Sequence, residues 1–167
     1  MHHTLSPARR PTLPMLAGGG AALAAALLTR LAAGSPAATV HQLEAFLPLP
    51  PLWLMGLLWL SSFALAGAAA GEVLTVPCPS PRMEALAWRG ATALLLAVVF
   101  SLVWYTLLFG KFLLLASWLC LPLSAAAAAW CALSWGQVNR RAACILWGFA
   151  LWEAFLFFLQ LAVLFHA

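Results

Sequence analysis

Residues 142–165 read AACILWGFALWEAFLFFLQLAVLF, a nearly unbroken apolar run of the length that a tilted membrane-spanning helix requires. Outward from it, four more runs of this kind can be marked: Leu13–Ala33, Leu52–Leu74, Ala85–Phe109 and Phe112–Trp135. A spanning helix needs about 20 mainly apolar residues, so five such runs occupy most of the 167 residues. The reading is an all-α membrane protein, a five-transmembrane-helix bundle over residues 13–167, preceded by a short segment 1–12. Composition demands the same answer. With 65% of residues hydrophobic, 7% charged and a mean hydropathy of +1.00, the chain cannot cover itself with polar groups in water, so membrane lipids are its solvent.

Turn chemistry separates the runs. Gly34, Ser35 and Pro36, then Pro48, Pro50 and Pro51, break the first from the second; Pro77, Pro79, Ser80 and Pro81 break the second from the third. The third break is only Gly110-Lys111 and the fourth is residues 136–141, so the last three helices should be antiparallel neighbours. The net charge is +4, but the basic residues stand singly or in pairs and form no stripe, which argues against nucleic acid as a partner. Under five spans, Arg9, Arg10, Arg82, Arg89, Arg140 and Arg141 fall on one side and Arg30 and Lys111 on the other. Loops rich in Lys and Arg stay in the cytoplasm, so the N-terminus is expected inside and the C-terminus outside, as in a bacterial inner membrane. Arg9-Arg10 followed by an apolar stretch also fits a secretory signal peptide, but Arg30, between that stretch and any cleavage site, argues for a retained helix. Gly18, Gly19, Gly20, Ala22 and Ala24 in that helix suit close helix packing.

No hydrolase, zinc-protease or phosphate-loop motif occurs. Cys78, Cys120, Cys131 and Cys144 contain no CxxC pair and suggest neither zinc nor a disulfide framework. His2, His3 and His166 are terminal and His41 lies in the first outside loop, poor positions for a haem ligand held in a packed pocket. The nine tryptophans are the anomaly. Trp88 and Trp135, near helix ends, and Trp53 fit an interfacial belt. Trp59, Trp104 and Trp152 lie deeper, where an indole serves either as packing or as the wall of an aromatic pocket. Glu153, near the middle of the last helix, is a functional candidate because a carboxylate there is costly. The plainer account is a protonated acid bonded to a neighbouring helix or to a second copy in a homodimer.

Residues 50–59, PPLWLMGLLW, resemble the PPxWVFGPVW segment of the tryptophan-rich sensory protein (TspO, translocator protein) family, with Phe63 and Gly67 following. Ser101 to Trp104 and on to Phe109-Gly110 are similar to the family's NxxWxxxFFG pattern. Ala142-Ala143, Trp147 to Trp152 and Phe155 overlay its last-helix motif, with Gln160 at the family's Asn. The match covers residues 48–165. The chain departs from the pattern at Ser101 for Asn, Cys120 for Asp and Gly148-Phe149 for Pro-Tyr, and it lacks the proposed C-terminal sterol motif. The resemblance implies binding of a flat hydrophobic ligand, a porphyrin or haem with sterol-like lipids second and no obligatory cofactor, at Trp59, Phe63, Ser101, Trp104, Cys120, Phe149, Trp152 and Gln160. It implies tetrapyrrole transport or sensing. A light-dependent porphyrin-degrading enzyme and a small membrane scaffold without a small ligand are the alternatives.

Overall fold

The computed structural model describes residues 12–34, 36–44, 50–75 and 77–166. The N-terminal segment with Arg9 and Arg10, the terminal His2 and His3, and the loop positions Ser35 and Pro48 lie outside the described residues. Among those described there is no strand. The long helices are α1 (Thr12–Ala33), α3 (Leu52–Thr75), α4 (Pro81–Tyr105), α5 (Leu114–Trp135) and α6 (Arg140–His166), and a short α2 (Ala37–Glu44) lies between α1 and α3. All five long helices are long and apolar enough to cross a membrane.

Local chemistry accounts for the helix boundaries. Ser80 sits extended before α4 and its Oγ accepts the Met83 N–H at 3.4 Å, with Pro81 at the first helical position. This cap starts α4 ahead of the apolar run, at Pro81 rather than residue 85. Asn139 does the same for α6, its Oδ1 accepting from the amides of Arg141 (3.0 Å) and Ala142 (3.2 Å). At its far end α4 widens into a π-turn over Thr106–Gly110. Phe112 then takes φ +52°, a left-handed conformation unfavourable to a bulky side chain, and α5 begins at Leu114 rather than 112.

Around the bundle the order is α1, α3, α6, α5, α4. Helix α4 lies along α5 and α5 along α6, as the short links require; α1 lies along α3, while α3 meets α6 less extensively. The α1–α3 seam is a small-residue contact. A Cβ added at Gly67 would collide with the backbone of Gly18, and one at Gly71 with the backbone of Pro14, so the two helices approach to backbone distance. Gly20 faces away from that seam with open space beside it. Leu16, Leu31, Leu95, Leu115, Leu133 and Leu151 are exposed, as lipid-facing positions should be.

Two of the belt assignments agree with the structure and one does not. Trp53 and Trp88 are exposed, but Trp135 is wholly buried. Its indole fills the slot left by Gly90, where a Cβ would strike the ring, and its Nε1 donates to the Ala87 carbonyl at 3.0 Å. Position near a helix end suggested a belt residue; the missing side chain across the α4–α5 contact makes it a core residue.

Candidate functional site

The aromatic residues gather where α1 ends, α3 begins and α4 runs into its π-turn. Trp59 on α3 stacks on Tyr105 of α4, with ring centroids 4.5 Å apart and planes at 23°. Tyr105 in turn meets Phe109 at 4.6 Å and Trp104 at 6.2 Å. The π-turn matters here because its extra residue rotates the side chains beyond it about the helix axis, and Leu108 and Phe109 end up facing the same space as Trp104. Trp152 on α6 completes the ring of aromatic residues and stacks on Phe155.

These residues wall a cleft of two adjoining lobes. One lobe, about 420 Å³ including space open to the surroundings, is lined by Trp59, Trp104, Tyr105, Phe109, Trp152 and Arg30 among others. The other, about 550 Å³ on the same basis, runs beneath α2 and is lined by Val40, Leu43, Trp104, Leu108, Gln160 and Val163 among others. Leu52, Met55, Trp104, Phe109 and Leu156 belong to both lobes. Thr39 and Leu43 of α2 are buried, and Leu43 lines the second lobe. A separate, shallower groove between α3 and α6 is lined by Leu58, Ser62, Phe149 and Phe155, and Trp152 is shared between it and the cleft.

Behind the cleft wall lies a polar chain. The Trp59 indole N–H points to Ser101 Oγ at 3.4 Å, and the Ser101 hydroxyl donates to Glu153 Oε1 at 2.7 Å. Glu153 is fully buried. Its other oxygen has no hydrogen-bond partner; Ser124 lies beside the carboxyl but directs its hydroxyl proton to the Ala97 carbonyl at 2.9 Å. The carboxyl therefore bonds a neighbouring helix within the same chain, and through Ser101 it fixes the ring that Trp59 presents to the cleft.

A second chain is complete. Trp104 Nε1 donates to Gln160 Oε1 at 2.8 Å, and Gln160 Nε2 donates to the Leu114 carbonyl at 2.8 Å and to Ser117 Oγ at 2.6 Å. A buried amide with both ends occupied is rigid. It locks α6 to α4 and α5 and holds Trp104 in one orientation.

The residues singled out from the sequence thus fall into three sets. Trp59, Trp104, Trp152 and Gln160 line the cleft. Phe63, Phe149 and Ser101 form the layer behind it, with Phe63 4.9 Å from Trp59 and 5.7 Å from Phe149 between ring centroids. Cys120 is buried on α5, its thiol directed to the Ala116 carbonyl, and it lines neither lobe. Sequence reasoning passes over Tyr105, Met55 and Arg30. Tyr105 is the only tyrosine of the chain and adjoins Trp104, a signal that was available. Arg30 enters the sequence reading as a charge that orients the bundle and argues for a retained first helix, because nothing in the α1 sequence says which way its side chain turns.

Among the described residues no group of His, Cys, Asp and Glu could hold a metal ion. Comparison with protein families, with characterised proteins and with solved structures finds no match to this chain.

Proposed function

We propose that the chain is a TspO-like integral membrane protein that binds a flat hydrophobic ligand in the aromatic cleft, for transport or sensing of a tetrapyrrole. One observation carries this reading: indole, phenol and phenyl rings from α3, α4, α6 and the π-turn line two adjoining apolar lobes that share Leu52, Met55, Trp104, Phe109 and Leu156. Aromatic faces and aliphatic side chains suit a porphyrin macrocycle, with sterol-like lipids the second class. They suit the metal-free ring better than haem, because no histidine lines either lobe and His41 on α2 is exposed. The α3–α6 groove, sharing Trp152 with the cleft, supplies an approach for a ligand dissolved in the bilayer.

Basic residues support a bacterial inner-membrane orientation with the C-terminus outside. Arg82, Arg89, Arg140 and Arg141 cluster at one end of the bundle, and the cleft opens at the other. Titration of protoporphyrin IX against intrinsic tryptophan fluorescence, with the protein in mild detergent, tests the reading. Saturable quenching that weakens in Trp59→Leu is the expected result. Quenching that rises linearly without saturation, unchanged in the variant, refutes it.

A further inference from the structure

Resting on the reading of the cleft as a ligand site, the polar groups that line it define what the ligand carries. The Trp59 and Trp104 indole N–H groups are already bonded within the protein, as are both ends of the Gln160 amide. Two donors on residues that line this lobe are not. Trp152, which also lines the α3–α6 groove, has its Nε1 enclosed without an acceptor, and the Arg30 guanidinium has no hydrogen bond or ion pair among the described residues. Neither side chain can accept a hydrogen bond, since indole is a donor only and guanidinium offers five donors and no acceptor. No carboxylate lines the lobe to complement them. Glu72 Oε2 and Trp118 Nε1 are also unpartnered, but they line neither lobe.

Arg30 stands in the last turn of α1, where a long basic side chain can extend to the membrane surface. Here it turns into the bundle. Its guanidinium lies against Gly56, 3.5 Å from where a Cβ would stand. Arg30 thus lines the same lobe as Trp59, Tyr105 and Trp152. Planar guanidinium recognises carboxylate through paired, charge-assisted hydrogen bonds.

We infer that the cleft takes an amphipathic carboxylic acid, its carboxylate held by the Arg30 guanidinium with the Trp152 indole N–H, and its apolar body lying on Trp59, Trp104 and Tyr105. A fatty acid and a porphyrin diacid share this chemistry. The test uses the full chain in non-ionic detergent and two acid–ester pairs: protoporphyrin IX with its dimethyl ester, and oleic acid with methyl oleate. Affinities are read by calorimetry, and the fold by circular dichroism. The acid of a pair should bind about tenfold more tightly than its ester. Arg30→Gln should bring that ratio close to one by weakening the acid alone, Arg30→Lys should keep part of the preference, and Trp152→Phe should lower it about threefold. If only the oleic acid pair shows the Arg30-dependent preference, the acid site stands and the porphyrin reading falls. Equal binding of acid and ester, or a preference that survives Arg30→Gln, overturns the acid site while leaving an apolar pocket. Binding of none of the four probes overturns both.

Discussion

The two ends of this bundle use the same residue type in opposite ways. At the end where α3 gives way to α4, Trp135 is clamped: Gly90 removes the side chain that would occupy its place, Ala87 accepts its N–H, and the Gly18–Gly67 seam closes α1 onto α3 nearby. At the other end, tryptophans surround space instead of filling it, and one of them keeps an unpaired N–H. The difference teaches that in an apolar solvent the role of an indole rests on two things. One is whether a facing residue is small enough to receive the ring, and the other is whether the protein supplies an acceptor for its N–H. Trp135 has both and is a structural clamp; Trp59 and Trp104 have acceptors but border open space, so for them the facing room decides.

The largest expected effect lies at the closed end. Gly67→Leu would force a side chain into the Gly18 backbone, which cannot move as a side-chain tip can, so monodisperse protein should be lost or its melting temperature should fall steeply. Gly20→Leu, on the same helix as Gly18 but with open space beside it, should leave the melting curve unchanged. If both are tolerated, α1 does not pack at backbone distance and the closed end is misassigned.

Next is the chain behind the cleft wall. Glu153→Leu takes away the acceptor of the Ser101 hydroxyl and should destabilise the protein by about 1–3 kcal/mol in reversible denaturation. Glu153→Gln keeps an oxygen for Ser101 and should fold and bind much like the parent. Loss of activity in the Gln variant with an intact fold would require a proton-transfer role in place of the structural one.

Smaller effects separate wall from clamp. Trp59→Leu and Trp152→Leu should each weaken porphyrin binding by about 1 kcal/mol through loss of the flat π surface. Trp135→Leu should instead lower stability, since the Ala87 carbonyl loses its donor and the Gly90 slot is left underfilled. Trp130→Leu, 63% exposed toward lipid, should change neither quantity. Uniform loss of affinity in all four would erase the distinction between the ends.

The last prediction concerns which end faces which compartment and should leave stability untouched. Cys78 lies in the connection between α3 and α4, at the closed end. In a Cys144→Ser background, an impermeant maleimide should label it only after the cytoplasmic face is opened. Labelling in intact cells would place the cleft at the cytoplasmic surface.

Much of the fold was legible in the linear pattern because a spanning helix is a local object: about 20 apolar residues suffice to define it. The runs and the turn residues between them placed five spans within a few residues. The discrepancies at Pro81 and Leu114 arose where Ser80 capped a helix before its apolar stretch and where Phe112 took a positive φ. The short α2 was missed, being too brief and too polar to stand out from the loop. Of the candidate site, Trp59, Trp104 and Trp152 were visible as deep aromatics, and Glu153 and Gln160 as polar residues on one face of the last helix. What they bond to was not visible, because every partner lies on another helix, more than 40 positions away in the chain.

By itself, then, the sequence determined the solvent, the number of spans and the depth of its unusual side chains, since hydrophobic length and turn chemistry act over a few neighbouring residues. Only the tertiary structure decided that Trp135 is a clamp and Trp152 a wall, that Glu153 meets Ser101, and that Arg30 turns into the cleft. A helix carries side chains on all its faces, and the composition of a run nearly uniform in hydrophobicity does not say which face meets a neighbour. That choice is made by the gaps that glycines such as Gly18, Gly67 and Gly90 leave for other helices to fill.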